Sequence, residues 1–118
     1  MIPSDPGVRV SVGNPGSGKT YGIRSEILEA ARVNPIIVID PVHEWSRPPY
    51  NAVPSDLAPL ACRVVSVERA RVALERGKRL VIVGTDDVPG EADAACAWAS
   101  EPHDGVRGVA IHEAHLAF

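Results

Sequence analysis

Val8 to Thr20 reads VRVSVGNPGSGKT, and the reading of this stretch decides the fold. Val8 to Val12 is a short β-branched run that predicts a strand stopping at Gly13, while Lys19 to Val33 places Tyr21, Ile23, Ile27, Leu28 and Ala31 at helical intervals. The segment between them fits G-x-x-x-x-G-K-T through Gly13, Gly18, Lys19 and Thr20, with Gly16 as a further small residue. Glycines permit positive φ, so successive backbone N–H groups can converge on phosphate oxygens, and the following helix N-terminus adds its dipole. A lysine after the last glycine reaches the β- and γ-phosphates, and the next hydroxyl ligates Mg²⁺. The residues expected to hold ATP are therefore Gly13, Asn14, Pro15, Gly16, Ser17, Gly18, Lys19, Thr20 and Tyr21. Lys19 is also the expected catalytic cation, and Thr20 the expected Mg²⁺ ligand. A glycine-rich turn that fits by accident is the alternative, and a full match lying between a strand and a helix disfavours it.

Working outward, Asn34-Pro35 breaks the helix, and Ile36 to Ile39 (IIVI) is a continuous apolar run, as in a parallel strand buried on both faces. Five prolines between Pro41 and Pro59 forbid a long helix or an inner strand there, so Pro41 to Ala61 is expected to be an ordered excursion. Arg63 to Val67 predicts a strand, Glu68 to Arg76 a helix closed by Gly77, and Leu80 to Val83 a buried strand. Glu91 to Ser100 predicts a helix with Trp98 toward the core, and Val106 to Ile111 the last strand. Five strands interleaved with about three helices imply an α/β domain with a mostly parallel sheet, because parallel strands need helical crossovers. One domain over residues 1–118 is expected from the length.

Gly108 to His115 reads GVAIHEAH, the shape of a Walker B strand except that His112 stands where aspartate is expected. Aspartate there holds the Mg²⁺ water shell by charge, and the next glutamate orients the attacking water. Glu113 is thus the candidate catalytic base, against a plain exposed glutamate. His112 is the candidate Mg²⁺ organiser, against a degenerate position, and a neutral imidazole brings no negative charge. His112, Glu113 and His115 do not make a zinc motif, since HExxH needs histidines four apart on a helix.

The combination of GNPGSGKT, VIDPVHEW at Val38 to Trp45 and VAIHEAH at Val109 to His115 resembles the FtsK/HerA superfamily of ATP-driven DNA pumps, which includes conjugation, phage-packaging and zonular-occludens-toxin-like ATPases. Asp40, Pro41, Glu44 and Trp45 match the family's D-P…G-E-aromatic shape, with His43 where glycine is common. The resemblance implies a P-loop NTPase fold, DNA as a partner and a ring of identical subunits. It also implies further strands after Walker B, whereas this sequence stops seven residues after Ile111. Either a piece of a longer protein or a reduced relative that keeps nucleotide binding is expected, and the apolar ending Leu116-Ala117-Phe118 favours a piece.

Charge limits the DNA expectation. The first 60 residues carry five basic against six acidic groups and the remainder seven against nine, so any DNA contact must be local. Arg69, Arg71, Arg76, Lys78 and Arg79 form the one basic cluster, and Glu68 and Glu75 lie at pairing intervals from Arg71, Lys78 and Arg79, which predicts a solvated helix face. Cys62 and Cys96 lack metal or redox spacing and predict buried free thiols. No apolar run approaches a membrane span and MIPSDPG is not a leader, so a cytoplasmic location is expected.

Two other enzyme readings compete. Asp87-Val88-Pro89-Gly90 fits the D-x-x-G of GTPases, without an NKxD to read guanine. Small-molecule kinases also open with a P-loop, but their acceptor-binding and lid arginines should lie after the second half of the sheet, where the few arginines are not clustered. A nucleotide-binding module without turnover is the third alternative, favoured by His112.

Overall fold

Apolar runs without alternation form strands that are covered on both sides. In a computed structural model, residues 8–13, 18–46 and 52–112 are described, with side chains from 24 to 46 and from 52 to 111. The order is β1 (Val8–Gly13), α1 (Gly18–Ala31), β2 (Ile36–Ile39), 3₁₀ turns at Glu44–Ser46 and Ala58–Leu60, β3 (Ala61–Val64), α2 (Val67–Glu75), β4 (Leu80–Val83), α3 (Val88–Ser100) and β5 (Arg107–His112). All strand pairs are parallel, in the spatial order β1-β5-β2-β4-β3. The expected α/β architecture with a parallel sheet is what the chain forms.

Successive residues of the inner strands feed two cores. Ile37, Ile39, Val81, Val83, Val109 and Ile111 pack with α2 and α3, including Trp98 at 4% exposure. Ile36, Val38, Leu80, Ile82 and Ala110 pack on the other face with Ile27, Leu28 and Ala31 of α1, together with Trp45 and Leu57 from the proline-rich excursion. At about 1.5–3 kcal/mol per buried large apolar side chain, both layers are needed to hold the sheet. The Arg32–Asp56 ion pair at 2.7 Å ties the end of α1 to that excursion. The Arg32 guanidinium holds the Asp56 carboxyl below its ordinary range.

Three expectations shift, each for a local reason. The third strand is Ala61–Val64 rather than Arg63 to Val67, because Ser66 caps α2 and draws Val67 into the helix, where it is buried. The Ser66 side chain accepts from Arg69 N–H at 3.3 Å. Helix α3 starts at Val88, not Glu91, because Asp87 caps it and proline suits a first turn, where its missing N–H leaves nothing unbonded. Cys62 and Cys96 are free but only half-buried, and burial pushes both thiols up.

The first turn of α3 also reaches α2. Glu91 Oε2 accepts from Val67 N–H at 2.6 Å, so one helix caps the other. Glu91→Ala is expected to lower stability by about 1–2 kcal/mol, the cost of a lost cap on a part-buried donor. An unchanged urea midpoint would show that water replaces the carboxylate without loss.

The charge pairing expected within α2 does not form. Helix α2 ends at Glu75, so Lys78 and Arg79 lie beyond the geometry that makes three- and four-apart residues neighbours. Lys78 Nζ instead donates to the Pro59 carbonyl at 2.8 Å, and Arg71 pairs with Glu101, the residue directly after α3, at 2.8 Å.

Candidate functional site

The C-terminal ends of parallel strands, where helices begin, are where such sheets bind ligands. The register brings the sequence motifs to that edge. Val12, Ile111, Ile39, Val83 and Val64 form one row across the sheet. One residue further, Gly13 pairs with His112, and Asp40, Gly84 and Val65 continue the row by the same register. Adjacent strands lie about 4.8 Å apart, so the strand carrying His112 is the immediate neighbour of the strand that leads into the glycine-rich loop.

Gly13 closes β1, and Gly18, Lys19, Thr20 and Tyr21 open α1. Asn14, Pro15, Gly16 and Ser17 lie outside the described residues, as do Glu113 and His115. Thus the backbone on both sides of the loop is in place, and His112 joins Gly13 at the same edge.

The three helix N-termini at this edge differ in what they meet. The Asp87 side chain accepts from Gly90 N–H at 3.2 Å at the start of α3, and Glu91 accepts from Val67 N–H at the start of α2. Helix α1 carries no acidic residue in its first turn and begins Gly-Lys-Thr. A helix start with no acid of its own in its first turn suits an anion. The same comparison accounts for Asp87-Val88-Pro89-Gly90: it is the cap of a helix, in which a Cβ at position 90 would crowd the Asp87 carboxylate.

The VIDPVHEW segment is a built turn. Asp40 is 1% exposed, and its Oδ1 accepts from Glu44 N–H at 3.0 Å while Oδ2 accepts from Trp45 N–H at 2.9 Å. Those bonds start the 3₁₀ turn and lower Trp45 into the core. The Arg24 guanidinium of α1 stands 5.5 Å from the Trp45 ring centroid, and Arg63 donates to the Trp45 carbonyl. His43 lies at φ 55, a left-handed conformation that glycine adopts without steric cost. The imidazole sits against Gly84, where a Cβ would meet His43 Cε1 at 2.9 Å. The sequence gives Asp40 only a motif role; its burial and its two backbone donors have no signal in the residue pattern.

A cavity of about 340 Å³ walled by Val53, Ala58, Ala61 and Ile82 lies beside β3, the edge strand remote from β1. Four strand spacings, about 19 Å, separate it from the glycine-rich loop's strand. Among the described residues no group of three His, Cys, Asp or Glu side chains could hold a metal on its own, and no helix is long and apolar enough to cross a membrane.

No family model, no curated protein and no solved structure matches the chain.

Proposed function

We propose that this chain is a P-loop nucleotide-binding domain that takes ATP with Mg²⁺ and belongs to an ATPase of the DNA-translocating or DNA-packaging kind it resembles. The observation that carries the nucleotide reading is the junction of β1 and α1. GNPGSGKT runs from the last residue of a parallel strand into the first turn of a helix, at the edge of the sheet where such helices begin. In this reading the backbone N–H groups of Gly13 to Gly18 surround the phosphates, Lys19 neutralises the β- and γ-oxygens, and Thr20 ligates the cation. Mg²⁺, when bound, supplies charge neutralisation of the transferred phosphoryl group. Glu113 orients the attacking water, and an NTPase of this design needs no covalent chemistry from the protein, only position and charge.

His112 favours a second reading, a module that binds nucleotide with little or no turnover. An imidazole beside the loop's strand brings no negative charge where an aspartate would hold the cation's water. His112→Asp is expected to raise Mg²⁺-dependent phosphate release by about tenfold, in line with the effect of groups around a metal's ligands. No change in rate would argue that β5 does not serve as Walker B.

The experiment that separates the readings compares thermal stability with ATP, GTP and no nucleotide, with and without Mg²⁺, and follows phosphate release with and without DNA. DNA-stimulated turnover supports the motor; ATP stabilisation without turnover supports the module; stabilisation by GTP alone would sink both. Part of the basic cluster is already engaged within the chain, through Arg71 to Glu101 and Lys78 to Pro59, so any DNA affinity rests on local contacts and should fall steeply with salt.

A further inference from the structure

We propose that Asp104–Gly105, in the turn between α3 and β5, is a site of spontaneous covalent modification, where the folded chain converts aspartate to isoaspartate through a succinimide. The proposal is independent of the nucleotide reading. The turn leads into β5 at Arg107, whereas the candidate site lies where β5 ends at His112, roughly 17 Å of strand away.

The reaction joins two groups of neighbouring residues, the carboxyl carbon of an aspartate and the backbone nitrogen of the next residue. A C–N bond forms, the N–H proton and the carboxyl hydroxyl leave as water, and a five-membered ring closes. A second water then opens the ring. Attack at the side-chain carbonyl restores aspartate, while attack at the main-chain carbonyl leaves the chain running through Cβ and Cγ. One water is lost and one is gained, so the step needs no oxidant and leaves the mass unchanged. A glycine in the second position leaves the nitrogen unshielded, whereas an N–H held in a hydrogen bond is withdrawn from the reaction.

These conditions set Asp104 apart from the other described aspartates. Asp40 is followed by Pro41, whose nitrogen carries no proton. After Asp56, the Leu57 N–H donates to the Pro54 carbonyl at 2.9 Å, and after Asp86 the Asp87 N–H donates to Thr85 Oγ1 at 3.0 Å. The Asp87 carboxylate is occupied by Gly90 N–H, and Asp93 lies inside α3. By contrast, Asp104 and Gly105 are both exposed, Gly105 lies at φ 77, and a Cβ there would meet nothing within 4 Å. Among the described residues, no hydrogen bond holds the Asp104 carboxyl or the Gly105 N–H.

The turn is tied on both sides of this pair. His103 Nδ1 is 2.5 Å from the Glu101 carbonyl, Glu101 pairs with Arg71 at 2.8 Å, and Arg107 donates to the Trp98 carbonyl at 2.6 Å. Isoaspartate puts one additional backbone atom between those anchors, so each conversion alters the lead into β5.

The test incubates the chain in heavy-oxygen water, once folded and once in enough urea to unfold it. Each ring opening leaves one heavy oxygen behind, and fragmentation mass spectrometry reads both that label and the isoaspartate linkage at each aspartate. Label and isoaspartate are expected at Asp104 in the folded chain, at a rate within about tenfold of the unfolded one, because a turn without hydrogen bonds gives little protection. A folded rate more than about tenfold below the unfolded one overturns the proposal, since the fold would then shield the pair. Asp104→Glu, which would have to close a six-membered ring, should lose the label from this turn. Undiminished label in that variant places the reaction at another residue and overturns the assignment as well.

Discussion

Lys19→Ala is expected to remove half or more of the thermal stabilisation expected from ATP in the wild-type chain. At a hundredfold excess of nucleotide over its Kd, binding adds about 2.7 kcal/mol to stability, or roughly 10 °C in melting temperature for a domain of this size. Removing one ammonium that bonds two phosphates takes away charge-assisted hydrogen bonds of about 1.5–3 kcal/mol, so affinity should drop by one to two orders of magnitude. The variant is a clean one. Lys19 lies in the first turn of α1, and alanine is the strongest helix former, so the unliganded melting temperature should hold or rise. Nucleotide affinity unchanged in Lys19→Ala would sink the phosphate-loop assignment, whatever the rest of the fold does.

Asp40→Ala should have the largest effect on stability. The wild-type carboxylate is buried and satisfies the N–H groups of Glu44 and Trp45, and alanine leaves both donors without an acceptor. At about 1–3 kcal/mol for each stranded buried donor, plus the space left by the side chain, the expected loss is roughly 3–5 kcal/mol. That is a large part of the 5–15 kcal/mol or so that holds a typical domain. Asp40→Asn retains one carbonyl acceptor but turns an NH₂ toward the other donor, and about half the loss is expected. Urea unfolding measures the loss, and tryptophan emission reports its origin. Trp45 and Trp98 are the two tryptophans, so in a Trp98→Phe background a red shift follows Trp45 as the turn opens. A loss below about 1 kcal/mol for Asp40→Ala would show that the turn holds without its carboxylate.

The two predictions test separate parts of one edge. Lys19 lies in the first turn of α1, which follows β1, and Asp40 lies directly after β2, with β5 between the two strands. Asp40→Ala is expected to act on the stability of its own turn, whereas Lys19→Ala is expected to act on ATP affinity alone.

Legibility varied with how local each determinant is. Ile36–Ile39 and Leu80–Val83 were readable to the residue, because a short uninterrupted apolar run marks a strand buried on both faces. The start of α3 was misplaced because proline and glycine at 89 and 90 look like breakers, although a capping aspartate just before them turns them into a first turn. Ser66 did the same at the start of α2, where the apolar Val65 and Val67 read as strand continuation. The pairs expected of Glu75 failed because the helix ends at that residue, leaving Lys78 and Arg79 beyond it, while Glu101, thirty residues from Arg71 along the chain, took the guanidinium expected to pair with Glu68. The candidate site divides in the same way. Its motif and order were legible, while the engagement of Asp40 and the left-handed backbone of His43 depend on a turn that no pattern of residue types displays.

What the sequence determined by itself is therefore a strand, a glycine-rich loop and a lysine-led helix in succession, and an alternation that admits only a parallel sheet with covered faces. Spacing and side-chain chemistry act over a few residues, so these features need no knowledge of distant partners. Only the tertiary structure decided that the His112 strand is the immediate neighbour of the Gly13 strand, that Asp40 is occupied within its own turn, and that Asp87 and Glu91 cap the starts of α3 and α2. Each of these follows from which strand lies beside which, and that choice is made by the packing of two cores across the sheet, not by the residues adjacent in the chain.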